Sequence, residues 1–282
     1  MKRHSISSLG VKHAIPSDIR VELLQDRLTP RVPFPHKHDF YQIVIIFSGT
    51  GWHEIDFTSY KVSKQQLFVI KPGQVHSWKL ATKTKGFVIE YTDASFSKAY
   101  TEQDQLSRRS RALPDQVKFR PEDSLSLEFL KLMEAEFRHQ KAFASNVLQN
   151  YLSIFLWHLL RVTGTQTVAE ASKQDIVSNF LDLVELHFRK QHSLEFYAGT
   201  LNVSPKTLSA KILKALGKPA KEVISERCLL EAKRLLAYSS LTISEIGYEL
   251  GFDDPNYFSR FLKQHMKTSA QQFRAQAQKK PN

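Results

Sequence analysis

The chain has 282 residues, which favours two domains, and its composition of 41% hydrophobic and 24% charged residues supplies enough apolar material for packed cores. Its single cysteine, Cys228, excludes an intrachain disulfide and fits a reducing cytoplasm; the most apolar run, Leu152–Val162, is too short and interrupted to cross a bilayer. The formal net charge of +12, with a pI near 9.6, suits a polyanionic partner, but it is spread evenly: 23 basic against 17 acidic residues over 1–171 and 17 against 11 over 172–282, so charge alone locates no binding site.

Residues 1–18 are polar and aperiodic and read as an arm. No apolar run follows MKRHSISSLG, so no signal peptide is expected. From Ile19 to Tyr91 the pattern is strands. Ile19–Leu24, Phe40–Phe47, Gly51–Phe57, Leu67–Lys71 and Gly86–Tyr91 are rich in β-branched and aromatic residues. Gly49-Thr50-Gly51 and Lys71-Pro72-Gly73-Gln74 supply turns. Short strands at close spacing predict a small barrel or sandwich.

Within this stretch, His36-Lys37-His38, Gly49, Gly51 and Pro72–His76 (PGQVH) resemble the cupin barrel pattern. The resemblance implies metal ligands at His36, His38 and His76, but Gln42 stands where the family carries a carboxylate. A neutral amide is a poor ligand for a hard divalent ion. No metal and no cofactor are therefore expected. The histidines, with Tyr41 and Trp78, become candidate contacts to a small-molecule effector, set against the plainer reading that barrel aromatics are core.

After Tyr91 the period becomes helical. Residues 122–138 carry Leu125, Phe129, Leu132, Met133 and Phe137; residues 145–162 carry Val147, Leu148, Tyr151, Leu152, Phe155, Leu156 and Leu159. The second stripe is wide enough to suggest a partner subunit, with Leu152 and Leu156 facing it; the alternative is that both helices cover the barrel. Gly164–Ser172 is small and polar and predicts a linker, which divides the chain into domains over 1–163 and 173–282.

The second domain reads as all-helical. Ile176–Phe188 is amphipathic. A second helix and turn run through Leu194, Tyr197, Leu201 and Val203. Ser204-Pro205 then starts a helix, with an N-cap followed by proline at N1, and Gly217 ends it. That helix buries Leu208 and Ile212 and exposes Lys206, Thr207, Ser209, Ala210, Lys211 and Lys214. Pro219–Tyr238 is a long amphipathic helix, about 30 Å at 1.5 Å per residue. Ile243, Ile246 and Leu250 line a short helix that stops at Gly251. Asp254-Pro255 repeats the start signal for a helix that buries Tyr257, Phe258, Phe261 and Leu262 and exposes Asn256, Ser259, Arg260 and Lys263. A short helix, a tight turn and a second helix with a polar, basic outer face make a helix-turn-helix, and the chain contains two.

GFDDPNYFSRFLKQH (251–265) followed by QQFR (271–274) resembles the C-terminal signature of AraC-type transcriptional regulators. Lys267, Ala270 and Phe273 depart from the family's Gly, Pro and Tyr. The resemblance implies an α+β protein of two domains. A cupin-like β-barrel with flanking helices senses an effector and dimerises, and an all-α domain with two helix-turn-helix units reads promoter DNA. Expected partners are double-stranded DNA, a second copy, RNA polymerase and a small molecule, in the cytoplasm and without a membrane; an activator is the favoured sense. Arg260 has the fork for guanine O6 and N7, and Asn256 the amide for adenine N6 and N7. Lys263, Lys206 and Lys211 suit phosphates, Ser259 allows close approach, and Ala210 stands where the family often has Arg. Thr207 and Ser209 complete the first reading face. The rival is a metal-dependent cupin enzyme using His36, His38 and His76; the missing carboxylate argues against it, and no catalytic residue is assigned.

Overall fold

A computed structural model of the protein describes residues 3–4, 19–28, 35–95, 106–107, 109–120, 126–164 and 176–279. Most of the expected arm, Leu125, and the expected linker beyond Gly164 lie outside these ranges. The chain divides into two compact units, Met1–Ala169 and Glu170–Asn282.

Among the described residues the strands of the first unit are β1 (Arg3–His4), β2 (Ile19–Leu23), β3 (His36–His38), β4 (Tyr41–Ser48), β5 (Gly51–Ile55), β6 (Thr58–Val62), β7 (Gln66–Ile70), β8 (Val75–Leu80), β9 (Lys85–Tyr91) and β10 (Gln116–Lys118). They form two sheets, β1-β3-β8-β5-β6 and β10-β7-β4-β9-β2. The expected barrel is therefore not closed: among the described residues β6 pairs only with β5 and β2 only with β9, so hydrogen bonding stops at those edges. Five of these strands escaped the sequence reading. β1 and β3 are only two and three residues long, β6 and β10 are short and lie at sheet edges, and β8 (VHSWKL) mixes polar residues into its alternation.

β4 explains the architecture. Tyr41, Ile43 and Ile45 face one way and Gln42, Val44 and Ile46 the other, and all six are buried. A strand covered on both faces reads as a continuous apolar run. On one side, Ile43, Ile45, Val69 and Ile89 pack against two helices, α1 (Leu127–His139) and α2 (Ala144–Val162). On the other, Val44, Ile46, Phe68, Ile70 and Val88 meet Ile55 and Val62 of the first sheet. Leu152 and Leu156 are fully buried in the helix-side core. The expectation that they face a partner subunit is overturned, because the sheet absorbs the wide apolar stripe of α2. The large apolar residues α2 does expose are Ile154 (45%) and Trp157 (39%).

The second unit contains α3 (Ile176–His187), α4 (Leu194–Thr200), α5 (Pro205–Leu216), α6 (Ala220–Tyr238), α7 (Ile243–Glu249), α8 (Pro255–His265) and α9 (Ala270–Lys279). Its core joins Phe180 and Val184 of α3 to Tyr197, Leu208, Ile212, Ile224, Cys228, Leu236, Ile246 and Phe258. α6 is central and carries charge that the sequence reading missed. Glu231 and Arg234 are buried; Glu231 accepts from Arg189 at 2.6 Å and Arg234 at 3.1 Å, and Arg227, paired to Glu185, lies 3.8 Å over the ring of Phe188. The last helix packs in spite of its departures from the family pattern: Ala270 and Phe273 lean on the core, and Arg274 donates to the carbonyl oxygens of Leu236 and Leu241.

Candidate nucleic-acid interface and inter-sheet site

Each helix-turn-helix is built from its caps. In the first, the Ser204 side chain accepts from the Thr207 backbone N–H at 3.1 Å, and the two hydroxyls lie 2.8 Å apart. Proline follows at N1, and Gly217, at φ +70°, closes α5. Leu208 and Ile212 are fully buried. Lys206, Thr207, Ala210, Lys211 and Lys214 are exposed and Ser209 half-buried, so the expected outer residues share one accessible face.

In the second, Thr242 and Glu245 form a reciprocal capping box that starts α7. Hydrogen bonds from Thr242 hold the Glu245 carboxyl below its usual range. Gly251 takes φ +75°, and the Phe252 N–H returns to the carbonyl of Gly247 at 2.9 Å. At Gly247 a β-carbon would stand 3.0 Å from the Phe258 ring, so α7 and α8 approach closely. Asp254 then caps α8 through the Asn256 N–H at 2.8 Å. Phe258 and Leu262 are buried. Asn256, Ser259, Arg260 and Lys263 are exposed together, as their spacing requires. Tyr257 departs from its expected place in the core and is 59% exposed.

α6 connects the two units of this reader. Its 19 residues span about 28 Å. Its one thiol, Cys228, is pushed up to about 12 by burial, so it is a packing group and not a reactive one.

The space between the sheets of the first unit has a polar end. His36 and His76 are register partners on β3 and β8, with Nε2 atoms 3.2 Å apart. His53 of β5 lies 3.4 Å from His76 Nδ1, and its ring stands 4.8 Å from Phe68 on the opposite sheet. Each nitrogen pair needs one bare and one protonated partner, and a neutral His76 supplies one of each. His38 bonds through Nδ1 to the carbonyl of Phe40 at 2.7 Å. That makes Nδ1 the donor and leaves Nε2 a bare acceptor, buried and without a partner among the described residues. Burial lowers His38 to about 4 and His53 to about 3; burial, then the neighbouring imidazoles, puts His76 well below the ordinary histidine value.

Beside them Glu90 is completely buried. It accepts from Arg27 at 2.9 Å, Arg20 at 3.3 Å and Gln42 at 2.7 Å, and Arg27 also pairs with Glu22. Burial pushes Glu90 up, but Arg27 and Arg20 outweigh it and its net direction is down. Gln42 thus directs its N–H at Glu90, and its oxygen is a second buried acceptor without a partner among the described residues. Of the residues grouped with the histidines in sequence, Trp78 joins them, 5.6 Å from both His53 and His76. Tyr41 does not: it lies on the helix side of β4, stacked on Tyr91 at 4.8 Å. His53, Glu90, Arg20 and Arg27 were missed. For His53 and Glu90 the signal was strand alternation, since His53 shares a face with Ile55 and Glu90 with Val88; Arg27 lies in a helical turn, Leu24–Arg27, that no alternation marks. Among the described residues no three His, Cys, Asp or Glu side chains converge as a metal ion requires, and no helix is long and apolar enough to cross a membrane.

Two family models match the chain: an AraC-like ligand binding domain over residues 21–148 and a helix-turn-helix domain over 197–276. The chain belongs to the AraC family. It is a DNA-binding transcriptional regulator whose first unit is the family's ligand-binding domain. Full-length relatives include the HTH-type transcriptional activator RhaS of Escherichia coli O81 (strain ED1a), 24% identical over 273 residues, 94% of this chain and 97% of that one. RhaS of Enterobacter sp. (strain 638) is 22% identical with the same coverage. Among solved structures, ToxT from Vibrio cholerae is similar over 92% of this AraC-family chain and 98% of its own, at 14% identity and TM-score 0.47. The C-terminal domain of AraT, a response regulator from Geobacillus stearothermophilus, is 32% identical over 38% of this chain and 88% of its own, at TM-score 0.35.

Proposed function

We propose that this regulator is a one-component transcriptional activator, and not an enzyme, that works in the cytoplasm as a homodimer on promoter DNA with RNA polymerase. The observation that carries the reading is the common outward face of Asn256, Ser259, Arg260 and Lys263, fixed by the burial of Phe258 and Leu262 beneath it. Arg260 and Asn256 read base edges in the major groove; Lys263, Lys206 and Lys211 neutralise phosphates; Thr207, Ser209 and Ala210 line the first reader. The length of α6, against a B-DNA turn of ~34 Å, lets the readers enter successive major grooves. A domain boundary between 163 and 173 fits this division of labour.

The polar end of the inter-sheet space is the effector site in this reading, with His36, His38, His76 and Trp78 as contacts and His53 added. The buried acceptors His38 Nε2 and Gln42 Oε1, without partners among the described residues, would take donors from the effector. Effector binding shifts the population of DNA-competent dimers. The metal-enzyme alternative is disfavoured by the chemistry of the site: Glu90, the buried carboxylate whose charge acts on His38, already serves two guanidinium groups.

DNA binding by variants tests the proposal. Arg260→Ala should cost about 1–3 kcal/mol and relax preference at one base pair. Lys263→Ala should weaken all sequences alike and reduce the salt slope by about one. Unchanged affinity and preference in Arg260→Ala would mean that the outward face is misassigned.

A further inference from the structure

The apolar spacing of α8 groups Tyr257 with Phe258, Phe261 and Leu262, yet the ring is 59% exposed. The core does not hold it; two contacts at its margins do. On one side it meets Phe252, with centroids 5.7 Å apart and planes tilted by 44°. Phe252 is itself buried and gripped by Phe258 at 4.9 Å and Phe261 at 5.2 Å. On the other side the Arg260 guanidinium carbon lies 5.9 Å from the Tyr257 ring centroid. Residues three apart on a helix are neighbours, and a guanidinium within about 6 Å of an aromatic face is attracted by the ring quadrupole.

We propose that Tyr257 is a positioning residue for Arg260: its ring, braced on Phe252, holds the guanidinium ready for the base edge. An arginine on a helix surface samples many rotamers, whereas bidentate reading of a base requires its planar fork in one orientation. A shelf that orders the side chain before DNA arrives removes part of that ordering cost from binding. It also favours the base that matches the fork, so Tyr257 sharpens specificity as well as affinity. The ring does this through its face, and the phenolic hydroxyl is not needed.

The proposal rests on Arg260 as a base reader, so Arg260→Ala belongs in the same panel. The probe is duplex DNA selected by the full-length protein from a random-sequence pool, and each variant is measured against every base at each position. Tyr257→Phe should bind within about twofold of the native protein. Tyr257→Ala should lose about two- to fivefold and relax the same base pair as Arg260→Ala. In an Arg260→Ala background, Tyr257→Ala should cost nothing further. Tyr257→Leu keeps bulk against Phe252 without an aromatic face, and carries the same expectation if the alanine variant melts early. Equal losses in both backgrounds would overturn the proposal, as would a Phe variant as weak as the Ala variant, which would point to a hydroxyl–phosphate contact. Loss in Arg260→Ala with none in Tyr257→Ala would overturn it and leave Arg260 as reader. No change in Arg260→Ala would remove both.

Discussion

Gly251 sits against the backbone carbonyl of Arg189: a β-carbon at 251 would stand 2.5 Å from that oxygen, and the glycine already holds φ +75°. The turn of the second helix-turn-helix is thereby seated on the segment that follows α3. The same segment places His192 against Phe252, with ring centroids 4.5 Å apart. Two constraints, conformation and space, act on one residue. Gly251→Ala should therefore destabilise the second unit by about 2–4 kcal/mol. Thermal melting of the full-length protein, followed by helical circular dichroism, checks this. A melting temperature equal to that of the native protein would show that the turn relaxes freely.

A second prediction separates core from surface on α2. Leu152 and Leu156 are fully buried, so replacing both with Glu should unfold the first unit. Ile154→Glu with Trp157→Glu should leave that unit folded and break self-association, because these are the large apolar residues α2 exposes. Sedimentation and melting curves read the two outcomes. A folded protein with the double leucine substitution would contradict the packing described for the helix-side core.

The apolar pattern made the second unit legible almost residue by residue, because caps, glycines and spacing agree there. Ser204-Pro205 and Asp254-Pro255 start helices where an N-cap followed by proline demands, and Gly217 and Gly251 stop them. Placement of the outer residues followed from that agreement. Tyr257 shows the limit: on a short helix, spacing alone does not separate the residue at the edge of the buried stripe from those within it. In the first unit, α2 looked too apolar for one domain because the sequence does not reveal that a sheet and a second helix share its contacts. The inter-sheet polar end was half visible. His36, His38 and His76 stand out as a pattern, whereas His53, Glu90 and Arg20 are separate polar residues in buried strands, and only the register brings them together.

The buried histidines set a pH dependence. His38, at about 4, and His53, at about 3, lie below the unfolded value near 6.5. A folded state that binds protons less readily than the unfolded chain has its full histidine contribution above pH ~6.5 and loses it as pH falls towards those lower values. His76 acts in the same direction. The first unit should therefore melt progressively earlier between about pH 6.5 and pH 4, and His53→Gln, which carries no titrating ring, should flatten the slope. A melting temperature that stays constant across this window would contradict the burial of neutral imidazoles.

Glu90 supplies a further test. Replacing it with Gln leaves Arg20 and Arg27 facing an uncharged group inside the unit. Removing one member of a buried ion pair costs about 3–5 kcal/mol. Glu90→Gln should lower the stability of the first unit by that order while leaving the helical signal of the second unchanged. Simultaneous loss of both transitions would show that the two units do not melt independently.

The most direct measurement is DNA binding by a fragment spanning residues 173–282. Its helices share one core, so it should fold alone. It should bind promoter duplex with an affinity that falls linearly in log–log form as salt rises. Affinity should be below that of the full-length protein by up to ~10²–10⁴, the avidity a dimer gains when its half-sites fit. A fragment that is helical and soluble yet shows no salt-sensitive binding to any promoter would contradict the assignment of DNA reading to this unit.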